Sequence, residues 1–275
     1  MYARQCFGLS ERKACELMSL NRSTCRYASR QKDEEEIRDR IRKIANRHKR
    51  YGSPMIHASL RREGFMINHK KTERIYHEEG LTLRRKIRKK IPADRRGKML
   101  EATRPGKIWS IDFVSDSLTH GRKFRALTIV DDFTKICPGI FASTSIPGSR
   151  VVAYMDILAK IYGYPEWIRT DNGPEFIGRD FVSWAQKRGV QLSYSRPGKP
   201  TDNAYIESFN GKFRDECLNQ HWFSNLKEAR QLIENWRREY NEIRPHSTLG
   251  YCTPNEFARK HQDMVNNNSL ALNLA

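Results

Sequence analysis

Three short runs rich in β-branched and aromatic residues, KIWSIDFVSD, KFRALTIVDDF and KICPGIFAS, follow one another between residues 107 and 143 with only turn-length gaps. Such residues suit a pleated, half-buried surface, and gaps this short leave room only for hairpins, so the runs read as an antiparallel meander. Helix-like and strand-like segments then alternate. RVVAYMDILAKIYG sets Val151, Tyr154, Leu158 and Ile161 on one side of a helix ending at Gly163, EWIRTD is a strand, RDFVSWAQKRG a helix and VQLSYS a strand. A meander that continues into strand–helix–strand units is a mixed α/β sheet with helices on its faces.

The 275 residues carry 51 Lys and Arg against 32 Asp and Glu, a formal charge of +19. Residues 1–100 hold +16 of it and residues 101–275 only +3, which implies two different tasks. A charge of this size calls for a polyanionic partner, and no stretch approaches the roughly 18 apolar residues of a spanning helix. DNA is therefore the expected partner, with no membrane, and the expected location is the cytoplasm, on the nucleoid. Six cysteines without a C-x-x-C pair argue against a zinc ribbon or a disulfide scaffold.

The basic part holds two similar patterns. In LSERKACELMSLNRSTCRYASR, Ser10 caps one short helix, residues 19–21 turn, and a second helix exposes Arg22 and Arg26. In YGSPMIHASLRREGFMINHKKTERIYHEEGL, Ser53 and Pro54 open a helix, Gly64 closes it and Asn68 caps the next. There Ile56, Leu60, Ile75 and Tyr76 supply the apolar side. The second helix offers His69, Lys70, Lys71 and Arg74 either to DNA or simply to solvent, and the run LRRKIRKK after it favours DNA. Between the patterns, Ile37, Ile41 and Ile44 mark an amphipathic helix. The expected divisions are 1–98, an all-α helix-turn-helix region with a basic linker; 99–262, the mixed-sheet domain; and 263–275, a disordered tail.

Three carboxylates stand out by their settings. Asp112 lies within the first strand, Asp171 ends a later strand in RTDNGPEF, and Glu207 lies in a helix that Thr201 or Asp202 would cap, in KPTDNAYIESFNGKFRDE. Hard oxygen ligands on separate elements can hold two Mg²⁺ ions for phosphodiester chemistry. On the Glu207 helix, Asn203, Asn210 and Arg214 share its face, a polar stripe suited to phosphate, and Lys212 adds a further cation. Asp116, Asp131 and Asp132 read as strand-end charges, and His246, beside Pro245, as a structural loop histidine.

With 35 residues between Asp171 and Glu207 and a basic residue seven after the Glu, these motifs resemble the D,D(35)E signature of bacterial insertion-sequence transposases related to retroviral integrases. YNEIRPHSTLGYCTPNEF is similar to the end of that family's catalytic region, and YGSPMIHASLRREGF to its helix-turn-helix segment; the resemblance spans about residues 50–258. It implies an RNase H-like fold and Mg²⁺ or Mn²⁺ held as a pair by Asp112, Asp171 and Glu207. It also implies cleavage at element ends followed by attack of a 3′-OH, without a covalent protein intermediate. In the class often called the IS-three family, such a chain is the second-frame product. That implies the first-frame product as a partner, in some cases as a frameshift fusion, and a homo-oligomer on DNA. A catalytically silent DNA-binding regulator and a structure-selective nuclease of the same fold are the alternatives.

Overall fold

The computed structural model describes residues 7–26, 34–84, 100–196 and 203–272. Residues 1–42 and 43–275 form two compact units. In the first, α1 (Glu11–Leu17) and α2 (Arg22–Cys25) are capped where the sequence marks them: Ser10 accepts from the Lys13 N–H at 3.3 Å and Asn21 from the Ser23 N–H at 3.2 Å. Arg26 returns to Glu11 at 2.6 Å. The amphipathic helix α3 (Glu35–Arg47) follows.

The second unit begins with the pair α4 (Ser53–Arg62) and α5 (His69–Glu78), which pack on each other through the buried Ile56, Leu60, Ile75 and Tyr76. Pro54 occupies the first turn, where its missing N–H loses no helical bond. Gly64 adopts φ 91°, and Asn68 accepts from the Lys70 N–H at 3.0 Å. The boundary expected at residue 98 lies outside the described residues.

The sheet is built from β1 (Ile108–Ser117), β2 (Lys123–Asp131), β3 (Gly139–Ser143), β4 (Trp167–Thr170) and β5 (Gln191–Tyr194), in the order β3-β2-β1-β4-β5. The first three strands are the antiparallel meander; β4 and β5 add in parallel beside β1. Side chains alternate between two cores. Trp109, Ile111 and Leu127 point to α6 (Gly148–Tyr162), α7 (Pro174–Ile177) and α8 (Arg179–Arg188). Val114, Phe124 and Ala126 point to α9 (Ala204–Glu216) and α10 (Leu226–Glu242), where Phe209, Phe213, Trp236 and Tyr240 interlock. The fold is thus a mixed sheet flanked by helices behind a helical region, as expected.

Three local expectations differ. On α6 the inward positions are Val151, Met155 and Leu158, while Ile161 is 72% exposed; Tyr162 takes the inward place, edge-on to Trp109. The helix α11 (Pro254–Leu272) runs past residue 263, where a disordered tail was expected, because no Gly or Pro interrupts it after Pro254. Asp131 and Asp132 are buried rather than solvated: Asp131 Oδ1 accepts from the Phe133 and Thr134 N–H groups, and Asp132 pairs with Arg169 at 2.5 Å. Among the described residues no helix is long and apolar enough to cross a membrane.

Candidate active site

Strand register brings the first two carboxylates level. The parallel partners Ile108↔Trp167, Trp109↔Ile168 and Ser110↔Arg169 keep a constant offset of 59, which carried two residues on sets Asp171 opposite Asp112. Equal parity on paired strands turns both side chains to the same face, the one that carries α9. Asp171 leaves the sheet at the end of β4 and is exposed; its Oδ1 accepts from the Gly173 N–H at 3.0 Å. A Cβ at residue 173 would lie 3.0 Å from that same oxygen, so the turn is built for glycine.

Helix α9 brings the third. Asn210 Nδ2 donates to Asp112 Oδ2 at 2.8 Å, and the Thr128 hydroxyl lies 2.8 Å from Asn210 Oδ1 and 3.1 Å from the Asp112 carbonyl oxygen. Thr128 is the β2 partner of Asp112, so a strand pair and a helix are pinned together at this one carboxylate. Glu207, one turn before Asn210, is exposed on the same side of the helix. The other Asp112 oxygen, Oδ1, accepts from the Phe113 N–H at 2.7 Å. Burial first, then the negative charges of Asp171 and Glu207, raise the Asp112 carboxyl to about 6, against the pull of its hydrogen bonds from Phe113 and Asn210.

Three oxygen acids whose charges oppose one another make a donor set that suits a hard divalent cation, and each carboxylate keeps lone pairs beyond the bonds described. The cluster is nevertheless open: among the described residues no three His, Cys, Asp or Glu side chains are gathered closely enough to hold an ion.

The remaining candidates fall into three places. Arg214, two turns after Glu207, donates to the Ser115 carbonyl oxygen at 3.1 Å, and Asn203 begins α9 as a buried residue whose Oδ1 lacks a hydrogen-bond partner among the described residues. Lys212 turns aside from this stripe to Ser208 Oγ at 3.1 Å, where burial and the Arg244 charge hold its ammonium down to about 8. Lys70, Lys71 and Arg74 lie on α5, with Arg74 tied to Glu78 at 2.8 Å. The caps expected at Thr201 or Asp202 lie outside the described residues.

Thr128 and the Arg169–Asp132 pair are missing from the sequence reading. Thr128 is a lone hydroxyl within the apolar run ALTIV, a weak signal that becomes legible only once its strand partner is known to be Asp112. Ser110 adds a bond to Asp132 at 2.7 Å, so the ion pair beneath the site is fully engaged. His246 is buried, edge-on to Tyr240 at 4.7 Å, in keeping with a structural role.

Two models described as integrase core domain match residues 102–200 and 188–254, and one described as HTH-like domain matches residues 32–90. A 31.7 kDa protein of insertion element IS407 from Burkholderia multivorans is 46% identical over 260 residues, covering 94% of each chain. The transposase for insertion sequence element IS904 from Lactococcus lactis is 30% identical over 249 residues, covering 85% of this chain and 98% of that one. Among solved structures, the simian T-cell lymphotropic virus intasome in complex with a PP2A regulatory subunit aligns with a TM-score of 0.52 at 16% identity, covering 79% of this chain and 74% of that one, a likeness of fold.

Proposed function

The chain belongs to the insertion-sequence transposases built on an integrase core domain with an HTH-like region, and from that membership we propose that it cuts DNA at the ends of its element and joins them to a target, with Asp112, Asp171 and Glu207 as the catalytic carboxylates. The observation that carries this reading is the convergence on Asp112: Asp171 is level with it on the adjoining strand, and α9, which bears Glu207, is pinned to it by Asn210.

Two Mg²⁺ or Mn²⁺ ions held by these three side chains would supply charge neutralisation and activation of the attacking oxygen. The chain's own residues prepare for that. Asn210 and Thr128 hold Asp112 in one rotamer, Gly173 lets the backbone close on Asp171, and Arg214 places a cation beyond the carboxylates for a phosphate. Asn203 and Lys212 are proposed as further DNA contacts, and Lys70, Lys71 and Arg74 as contacts of the helical region to element ends. The partners on this reading are DNA, further copies of the chain on that DNA, and the first-frame product of the same element.

The test is strand transfer on end-containing DNA. Asp112→Asn, Asp171→Asn and Glu207→Gln each keep the side chain's shape while removing its charge, and each should lower joining by several orders of magnitude while end binding persists. EDTA should abolish joining and Mg²⁺ restore it. Near wild-type joining by any one variant removes that residue from the site, and hydrolysed ends without joined product would mark a nuclease instead.

A further inference from the structure

Trp222, in the loop between the 3-10 turn Leu218–Gln220 and α10, is 87% exposed. The loop that carries it is fastened on both sides. His221 Nδ1 lies 2.8 Å from the Cys217 carbonyl oxygen, and Phe223 is buried edge-on against Phe124. The Phe223 carbonyl oxygen also accepts from the Thr119 N–H at 2.9 Å, which ties the loop to the β1–β2 hairpin. The indole is therefore held out in solvent by a pinned backbone.

Around it the charge has one sign. The hairpin presents His120, Arg122 and Lys123, all exposed, and neither Arg122 nor Lys123 forms an ion pair among the described residues. The line from here to the carboxylates is continuous. Helix α9 runs beside β1 with Asn210 at Asp112 and Arg214 at Ser115, and the chain beyond it reaches Thr119 through Phe223. Asp116, within this stretch, acts on the buried Cys217 beneath the helix.

We propose that Trp222, with Arg122 and Lys123, is an accessory DNA contact in which the indole stacks on an unpaired base of a strand leading away from the reacting phosphate. An exposed aromatic ring among unpaired cations is the arrangement that holds single-stranded nucleic acid, the ring taking any base and the cations its backbone. The spacing sets where that base lies. Seven residues of extended strand separate Asp112 from Thr119, roughly 23 Å at about 3.3 Å per residue. At about 3.4 Å per nucleotide this is roughly seven nucleotides from the phosphate at the carboxylates. The inference rests on the reading that DNA reacts at Asp112.

The experiment uses the full chain and two probes, a blunt duplex and the same duplex carrying a single-stranded extension of roughly seven nucleotides. Trp222→Ala should weaken binding of the extended probe by about tenfold or more, as for loss of one stacked base, and leave the blunt duplex unchanged; Trp222→Phe should restore most of the affinity. Arg122→Ala with Lys123→Ala should weaken the extended probe and flatten its salt dependence. Trp222 touches no catalytic group, so Asp112→Asn serves as control: it should lose joining and keep the preference for the extension. Equal affinity of wild type and Trp222→Ala for the extended probe overturns the proposal even where the carboxylate variants behave as expected. A changed oligomeric state in Trp222→Ala with DNA binding intact overturns it too, assigning the ring to a protein contact. Failure of wild type to bind either probe would strike the DNA reading itself.

Discussion

Asn210 is the residue on which the arrangement turns, because its two ends satisfy different elements: Nδ2 on the Asp112 carboxylate and Oδ1 facing the Thr128 hydroxyl. Asn210→Ala leaves Asp112 half-buried with one hydrogen bond fewer, and joining should fall by about 10–100-fold while DNA binding is kept, as for other residues that orient ligands from behind. Single-turnover joining beside a binding titration separates the two effects; an unchanged rate would make Asn210 dispensable to the site. His246 poses a different question. Burial, with the charges of Arg244, Lys212 and Lys135, pushes it down to about 2, so the folded chain holds it neutral. Below about pH 6.5 the unfolded chain takes up a proton that the folded chain refuses, so stability is full above that pH and falls as pH drops. In urea titrations from pH 7 to 5, His246→Gln should remove about 1 kcal/mol of that loss per pH unit below 6.5, and an unaltered slope would contradict a buried neutral imidazole.

Elements meet here at close quarters, nowhere more so than where α6 crosses β3. A Cβ at Gly139 would come within 2.9 Å of Leu158 Cδ2 and closer still to the Tyr154 hydroxyl, both side chains of α6. No unusual backbone angle is involved, so the glycine is there for space. Gly139→Ala should destabilise the chain by about 1–3 kcal/mol through overpacking, read from thermal or urea unfolding. Adding Tyr154→Phe removes the nearer atom and should recover part of the loss; no recovery would place the strain elsewhere. The same closeness explains why α9 positions Glu207 so firmly, since Ile206, Phe209 and Phe213 anchor one side of the helix in the core while Glu207 and Asn210 face the strand ends.

At the scale of the molecule, the helical pair α4–α5 is joined to the sheet domain within one compact unit. Arg50 pairs with Asp215, and Arg62 with Glu256 and the Tyr251 carbonyl oxygen. These pairs are partly exposed and worth perhaps no more than about 1 kcal/mol each, so they orient more than they stabilise. The basic excess before residue 101 points to that region for phosphate contact. Lys70→Ala and Lys71→Ala should each lower the salt dependence of end binding by about one unit of slope, whereas Arg74→Ala should lower it less, because Arg74 starts from its pair with Glu78. Titrations at several salt concentrations decide this; unchanged slopes would move end recognition off α5.

What the sequence determined by itself was whatever depends on period and local chemistry. Alternating apolar residues made the strands, Ser10, Asn21 and Asn68 started helices through their own side chains, and the contexts of Asp112, Asp171 and Glu207 marked them as a set before any contact was known. Local signals carry no information about partners far along the chain. Thr128 could be tied to Asp112 only through strand register, and Arg169 reaches Asp132 only because β4 lies beside β1. Ile161 has the spacing of a core residue and is solvated, and Trp222 has the character of one and is held outside. Burial is decided by which elements cover a position, and that is a property of the assembled sheet and helices rather than of any window of sequence.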